Sequence, residues 1–262
     1  MTPAPTVRVA TFNILNGRAP NESCVDVERY AAAIASLDAD VLGLQEVDRN
    51  QPRSGRADLT ALAAEAMGAA HHRFEPALWG TPGATWSPVG DEQPSTPAYG
   101  VALLSRYPVL EWRAFSLPRI RTRAPHLLRD PLRPVWVHEE PRIALLAELE
   151  TPLGRMRVLS THLSFLPWWN GHQLRALVRR SGRSEVPTVL IGDLNLPPRR
   201  AARITGMRPV ANGPTFPAPA PTTQLDHILV TGRLRVGSGG AVALPVSDHH
   251  ALVADLQADP SR

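Results

Sequence analysis

The stretch Thr188-Val189-Leu190-Ile191-Gly192-Asp193-Leu194-Asn195 decides how the rest of the chain is read. Its apolar and β-branched run from Thr188 to Ile191, following Pro187, predicts a strand buried on both faces. Gly192 ends the run. Asp193 and Asn195 then sit two residues apart, and alternation along an extended backbone would point both side chains the same way. A carboxylate and a carboxamide beyond the tip of a buried strand are costly unless something binds there. Asp-x-Asn alone is also ordinary turn chemistry, so the weight lies in recurrence. Asn13, Glu46, His162, Asp226, Asp248 and His249 likewise stand at the ends or entrances of hydrophobic runs.

Working outward, Val7 to Asn13 alternates as a strand, with Asn16-Gly17 as a turn after it. Asp26 to Leu37 has helical spacing, with Ser23 or Asp26 as the cap. Val41 to Gln45 reads as a short strand stopping at Glu46, and Ala57 to Met67 as a second amphipathic helix closed by Gly68. Strands alternating with helices indicate a layered α/β fold. Trp79 to Ala98 and Pro118 to Pro141 read as long irregular segments, the second carrying Arg119, Arg121, Arg123, Arg129 and Arg133. Between them Tyr99 enters a strand ending at Ser105. Arg142 to Glu150 and Met156 to Thr161 form a hairpin that delivers His162. Phe165 to Trp169 reads as an aromatic loop before a helix over 171–180, and 197–221 as mostly irregular. Leu225 to Val230, Ala241 to Leu244 and Ala251 to Leu256 are the remaining strands. A single domain over 1–262 is expected, with its core at about 7–256 between a loose Thr2-Pro3-Ala4-Pro5 start and a short tail.

The chain has 262 residues, enough for a substantial core, and its apolar content of 43% is that of a globular protein. All 28 basic residues are arginine, a compositional habit that makes a pI of about 10.1 weak evidence for nucleic-acid binding. The net charge of +4 still suits an anionic substrate. One cysteine, Cys24, excludes an intramolecular disulfide and any cysteine-rich metal site. No basic start with an apolar core and no run of about eighteen apolar residues occurs, so a cytoplasmic protein without a transmembrane segment is expected.

Oxygen donors with few carboxylates suit Mg²⁺, which keeps several waters and takes phosphate oxygens. Zinc is disfavoured because no histidine pair has helical spacing and His249-His250 are adjacent. Thr11-Phe12-Asn13, Leu44-Gln45-Glu46-Val47, Tyr99-Gly100, Ser160-Thr161-His162-Leu163, Gly192-Asp193-Leu194-Asn195, Leu225-Asp226-His227 and Ser247-Asp248-His249 together resemble the endonuclease/exonuclease/phosphatase superfamily of DNase I-like enzymes. Each segment is weak alone, but their order matches. The resemblance implies a four-layer α/β sandwich, two mixed β-sheets packed face to face and flanked by helices. It implies Glu46 as principal Mg²⁺ ligand, with Mn²⁺ able to substitute, and Asn13 and Asp248 beside it. His249 would accept a proton or hold the phosphate, with Asp226 fixing its tautomer. Asp193 would orient or deprotonate the attacking water, Asn195 and His162 would donate to phosphoryl oxygens, and Tyr99 would lie against the same phosphate. Of the adjacent pair Asp226-His227 only one can face inward, and the resemblance selects Asp226.

Each residue also has a plain structural alternative: a turn at Asn13, a solvated strand exit at Glu46, a hydrogen-bonded core histidine at His162, a solvated face for the arginines, and loop packing for Trp168-Trp169. Gln45-Glu46-Val47-Asp48-Arg49, Glu140-Pro141-Arg142 and Pro214-Thr215-Phe216-Pro217 resemble small bacterial metal-dependent hydrolases of unassigned substrate. The expected function is Mg²⁺-dependent hydrolysis of a small or lipid-derived phosphoester. A DNA or RNA nuclease is the alternative, since a duplex wants an extended basic track. A non-catalytic binding module on the same fold ranks last.

Overall fold

In a computed structural model, which describes residues 4–89, 95–129 and 132–259, the chain opens with β1 (Thr6–Asn13), α1 (Val27–Ser36) and β2 (Val41–Arg49). β2 returns parallel to β1 with Asn13 opposite Gln45, and α1 supplies the crossover a parallel pair needs. Asp26 caps α1 by accepting from the Arg29 backbone N–H. Next come α2 (Leu59–Met67), capped by Asp58 and closed by left-handed Gly68, then β3 (His71–Gly80), β4 (Trp86–Pro88), β5 (Ala98–Ser105) and β6 (Val109–Ser116). Among the described residues, β7 (Arg123–Arg129) and β8 (Leu132–His138) pair only with each other. β9 (Ile143–Thr151) and β10 (Gly154–His162) form the expected hairpin. The strand–helix–strand unit then recurs: α3 (Trp169–Ser181) leads to β11 (Thr188–Asp193), parallel to β10, with His162 opposite Asp193. The chain finishes with α4 (Pro198–Thr205), β12 (Arg208–Pro209), β13 (Asp226–Val230), β14 (Leu234–Val242) and β15 (Ala251–Ala258).

One sheet has the order β14-β15-β1-β2-β5-β3-β4 and the other β12-β13-β11-β10-β9-β6. Each holds one parallel pair among antiparallel ones, so both are mixed. Three apolar clusters separate four layers. Val9, Val41, Leu103, Leu145, Val158, Ile191 and Leu252 pack between the sheets. Phe12, Tyr30, Ile34, Leu42 and Leu59 bury α1 and α2 on the outside of the first sheet. Leu146, Leu159, Leu174, Leu177 and Leu190 do the same for the second sheet and α3. β11 shows the two-faced burial expected of it: Val189 and Ile191 point between the sheets, Leu190 toward the helices. This is the four-layer α/β sandwich. No helix among the described residues is long and apolar enough to cross a membrane.

Several local expectations are corrected. β2 does not stop at Glu46 but runs to Arg49 through a bulge between Leu44 and Val47. The segment 79–98 opens inside β3 and contains β4, and 118–141 contains the β7–β8 hairpin. Residues 197–221 begin with α4, and β15 extends past Leu256 to Ala258. Trp169 belongs to α3 rather than to the loop before it. β3 and β6 escape the sequence pattern because they are peripheral: β6 is an exposed edge strand, and Pro76 breaks the β3 register. Of the loose start, Thr2 and Pro3 lie outside the described residues, as do 90–94 of the first irregular segment, 130 and 131 of the second, and 260–262 of the tail.

Candidate active site

The two parallel pairs end on the same side of the sandwich, and their C-terminal residues meet there. Asn13, closing β1, donates from Nδ2 to Glu46 Oε1 at 3.2 Å and to Asp193 Oδ2 at 3.1 Å. One carboxamide thus ties the first sheet to the second. Glu46 sits in the β2 bulge with φ +57°, a left-handed conformation rare for a side-chain-bearing residue. The bulge turns Glu46 out of the strand's alternation, and Asn16 Nδ2 holds its backbone carbonyl at 3.2 Å. Behind it, buried Asp48 takes both arms of Arg53 at 2.8 Å.

Asp193 is the hub of the second sheet. Its Oδ1 accepts the Asn195 backbone N–H at 3.0 Å, and its Oδ2 lies 3.5 Å from His162 Nε2 and 3.9 Å from His249 Nε2. Alternation does not place Asn195. The strand ends at Asp193, and Asn195 reaches the site from a left-handed turn with φ +50°. Gly192 does not end the run either. It lies within β11 at φ +142°, where a Cβ would meet Thr161 O at 2.0 Å, so only glycine lets β10 and β11 approach. Asn170 Nδ2 fixes the turn by bonding Asn195 O at 2.7 Å.

Asp226 faces inward, toward His249. Its Oδ2 accepts from His249 Nδ1 at 2.8 Å, while His227 faces away and bonds Leu196 O at 2.8 Å. Ser247, at φ +71°, anchors the turn before His249: its Oγ donates to Asn13 O at 2.6 Å and accepts the His249 N–H at 3.1 Å. Phe216 covers the His249 ring at 4.9 Å.

Burial sets the electrostatics. It raises Asp193 above the usual carboxylate range, and the charge of Asp226 adds to the effect. Burial alone would pull His249 down, but the charge and hydrogen bond of Asp226, helped by Asp193 and Asp248, bring it to about 9. His162 is held well below its ordinary value by burial first, then by Arg142 and His249. Glu46 is raised by burial, with Asp248 contributing, and Tyr99 is raised by burial and the Glu46 charge.

Residues 10–249 match the Endonuclease/Exonuclease/phosphatase family. The chain belongs to that family. No curated protein matches it by sequence. Among solved structures, the endonuclease/exonuclease/phosphatase from Beutenbergia cavernae is 26% identical with a TM-score of 0.74, covering 98% of this chain and 73% of that one. The mannosyl-6-phosphatase of Bacteroides thetaiotaomicron is 17% identical, TM-score 0.64, with 95% of this chain and 99% of that one covered. The human Nocturnin catalytic domain, solved with a bound sulfate anion, is 20% identical, TM-score 0.64, with 98% and 96% covered. These last two share the fold. Members of the endonuclease/exonuclease/phosphatase family are hydrolases of phosphoesters and generally depend on a divalent metal.

The donors of this endonuclease/exonuclease/phosphatase member fit such an ion. Glu46 is a half-buried carboxylate whose charge is disfavoured by burial and by Asp248, and a cation relieves both. Asn13 Oδ1 already accepts the Leu15 N–H at 3.2 Å, so it offers only its second lone pair. Ligand atoms of Asp193, Asp226 and His249 also lie within 4.8 Å of one another. The direct 2.8 Å bond between His249 and Asp226 makes that trio an acid–base arrangement first.

The structure joins Asn13, Glu46, His162, Asp193, Asn195, Asp226 and His249 through hydrogen bonds and short contacts, and brings Tyr99 and Asp248 within electrostatic reach of Glu46. Arg142 was not among the residues expected here. It is 7% exposed, with Nη1 3.1 Å from His162 Nδ1. Its signal in the sequence is an arginine opening the apolar run Ile143 to Ala147, where a core residue would be expected.

Proposed function

We propose that the protein is a Mg²⁺-dependent hydrolase of a small or lipid-derived phosphoester, acting by in-line attack of an activated water. The carrying observation is Asp193: a buried carboxylate with a raised pKa, oriented by Asn13 and the Asn195 N–H, and faced by two imidazoles. A carboxylate shifted upward is a better base than an exposed one. Asp193 takes a proton from water as its oxygen attacks phosphorus; the opposite P–O bond breaks, and the leaving alkoxide takes a proton from solvent water. His249, protonated at neutral pH and braced by Asp226, donates from Nε2 toward the phosphoryl group. His162 and Asn195 donate to the phosphoryl oxygens, and Tyr99 closes that side. Glu46, Asp248 and Asn13 would hold the Mg²⁺, which supplies charge neutralisation; Mn²⁺ fits the same oxygen donors.

Exposed apolar side chains support a substrate with an apolar part. Leu127 and Trp136 on the β7–β8 hairpin and Phe165 and Trp168 before α3 are exposed, and His126 meets Phe165 edge-on at 5.1 Å. Arg121, Arg123 and Arg133 are exposed on the same segment, which keeps a nuclease as the second reading. The test is a side-by-side assay of phosphomonoesters, phosphodiesters, phospholipid and plasmid DNA with Mg²⁺ at moderate salt. Faster turnover of a small or lipid phosphoester is expected. Nicking of plasmid above the rate for every small ester would overturn the choice in favour of the nuclease.

A further inference from the structure

Arg142 stands just ahead of β9, its Nη1 3.1 Å from His162 Nδ1, in a pocket where both residues are 7% exposed. Which nitrogen of a neutral histidine carries the proton is ordinarily ambiguous. A guanidinium removes the ambiguity, because it has only N–H donors and keeps its charge. Nδ1 must accept, so the proton of the ring sits on Nε2. Protonating Nδ1 as well would set two cationic donors face to face at 3.1 Å in a buried pocket.

The other edge of the ring agrees. Nε2 lies 3.5 Å from Asp193 Oδ2, an acceptor, and 3.5 Å from Asn195 Nδ2, which already donates one hydrogen to Leu163 O at 3.1 Å. The His162 Nε2–H and the second Asn195 amide hydrogen are thus neighbouring donors, and a phosphoryl oxygen would satisfy both. The cost of burying the Arg142 charge is offset by the carboxylates of Glu140, Glu139 and Glu46 around it.

Resting on the phosphoester reading above, we infer that Arg142 is a positioning residue: it fixes His162 as the Nε2–H tautomer, a standing donor to the phosphoryl group and not a base. The arginine acts through the imidazole rather than on the substrate.

The test combines ring spectroscopy with kinetics on the full chain. Nitrogen-15 NMR of histidine-labelled protein, with the His162 signals identified by their loss in His162→Gln, should show Nδ1 unprotonated and hydrogen-bonded, and Nε2 carrying the proton, from pH 6 to 9. Arg142→Met keeps the length but removes donor and charge. It should move the Nδ1 signal toward that of an unbonded nitrogen and lower kcat about tenfold or more, against ~10²–10³ for deleting a donor outright, with KM changed much less. Arg142→Lys restores a donor and should recover part of kcat. A protonated Nδ1 in the wild type overturns the assignment, and so does Arg142→Met with unchanged ring signals and kcat. If Arg142→Met does not fold by circular dichroism, the wild-type spectrum and Arg142→Lys, in which Nδ1 must still accept, carry the decision. Failure of every phosphoester to react would defeat the reading of the site, while the ring spectra would still report the tautomer independently.

Discussion

At the scale of single residues, the His249–Asp226 bond makes a prediction about pH. The folded pKa of His249 is about 9, above the ~6.5 of an unfolded histidine. A raised histidine stabilises the fold fully below the unfolded value, and the contribution is lost as pH rises through the folded one. Replacing Asp226 by Asn removes the cause. The difference in melting temperature between wild type and Asp226→Asn should therefore be large near pH 6 and shrink toward pH 10; scanning calorimetry across that range checks it. In catalysis the two should act as a unit, so Asp226→Asn, His249→Ala and the double variant should lose similar factors, each about a hundredfold or more. A double loss equal to the product of the singles would separate them. Glu46→Ala should weaken Mg²⁺ binding, read by titration calorimetry, and lower turnover while the melting temperature holds, because this residue caps no core.

Among the elements, β11 carries the sharpest structural demand. Gly192→Ala would drive a Cβ to within 2.0 Å of Thr161 O at φ +142°. It should cost at least about 2 kcal/mol by forcing the parallel pair apart, read as a lowered urea midpoint together with lost activity. This element also shows what the sequence could reveal. Val189, Leu190 and Ile191 announce a strand because both its faces are buried, and Asp193 is legible as the polar residue at its tip. Asn195 arrives by a left-handed turn, which no alternation rule foresees. Glu46 depends likewise on a bulge set by pairing with β5, a partner more than fifty residues away. Strands β3 and β6 stayed illegible for the opposite reason: at or next to a sheet edge, where side chains are partly exposed, the apolar pattern that marks a strand is diluted. Arg142 was hidden because its meaning lies in His162, reached only through the β9–β10 hairpin.

For the whole molecule, activity should vanish with EDTA and return with Mg²⁺ or Mn²⁺; full activity in chelator would remove the proposed role of Glu46. Changing Trp136 and Trp168, 68% and 54% exposed, to serine should raise KM for an amphiphilic ester and leave thermal stability within about 1 kcal/mol of wild type. The order β14-β15-β1-β2 has a further consequence. The first strand pairs on one side with β2 and on the other with β15, Thr6 standing opposite Gln257. A ribosome making this chain releases β1, ending at Asn13, long before β15, which starts at Ala251 and is its second partner. Until then β1 presents a bare sheet edge. The nascent protein must therefore wait, prone to pairing with neighbours through that edge, until β15 emerges. A chain stopped after Val246 should accumulate as aggregate even though β1 to β14 are all present.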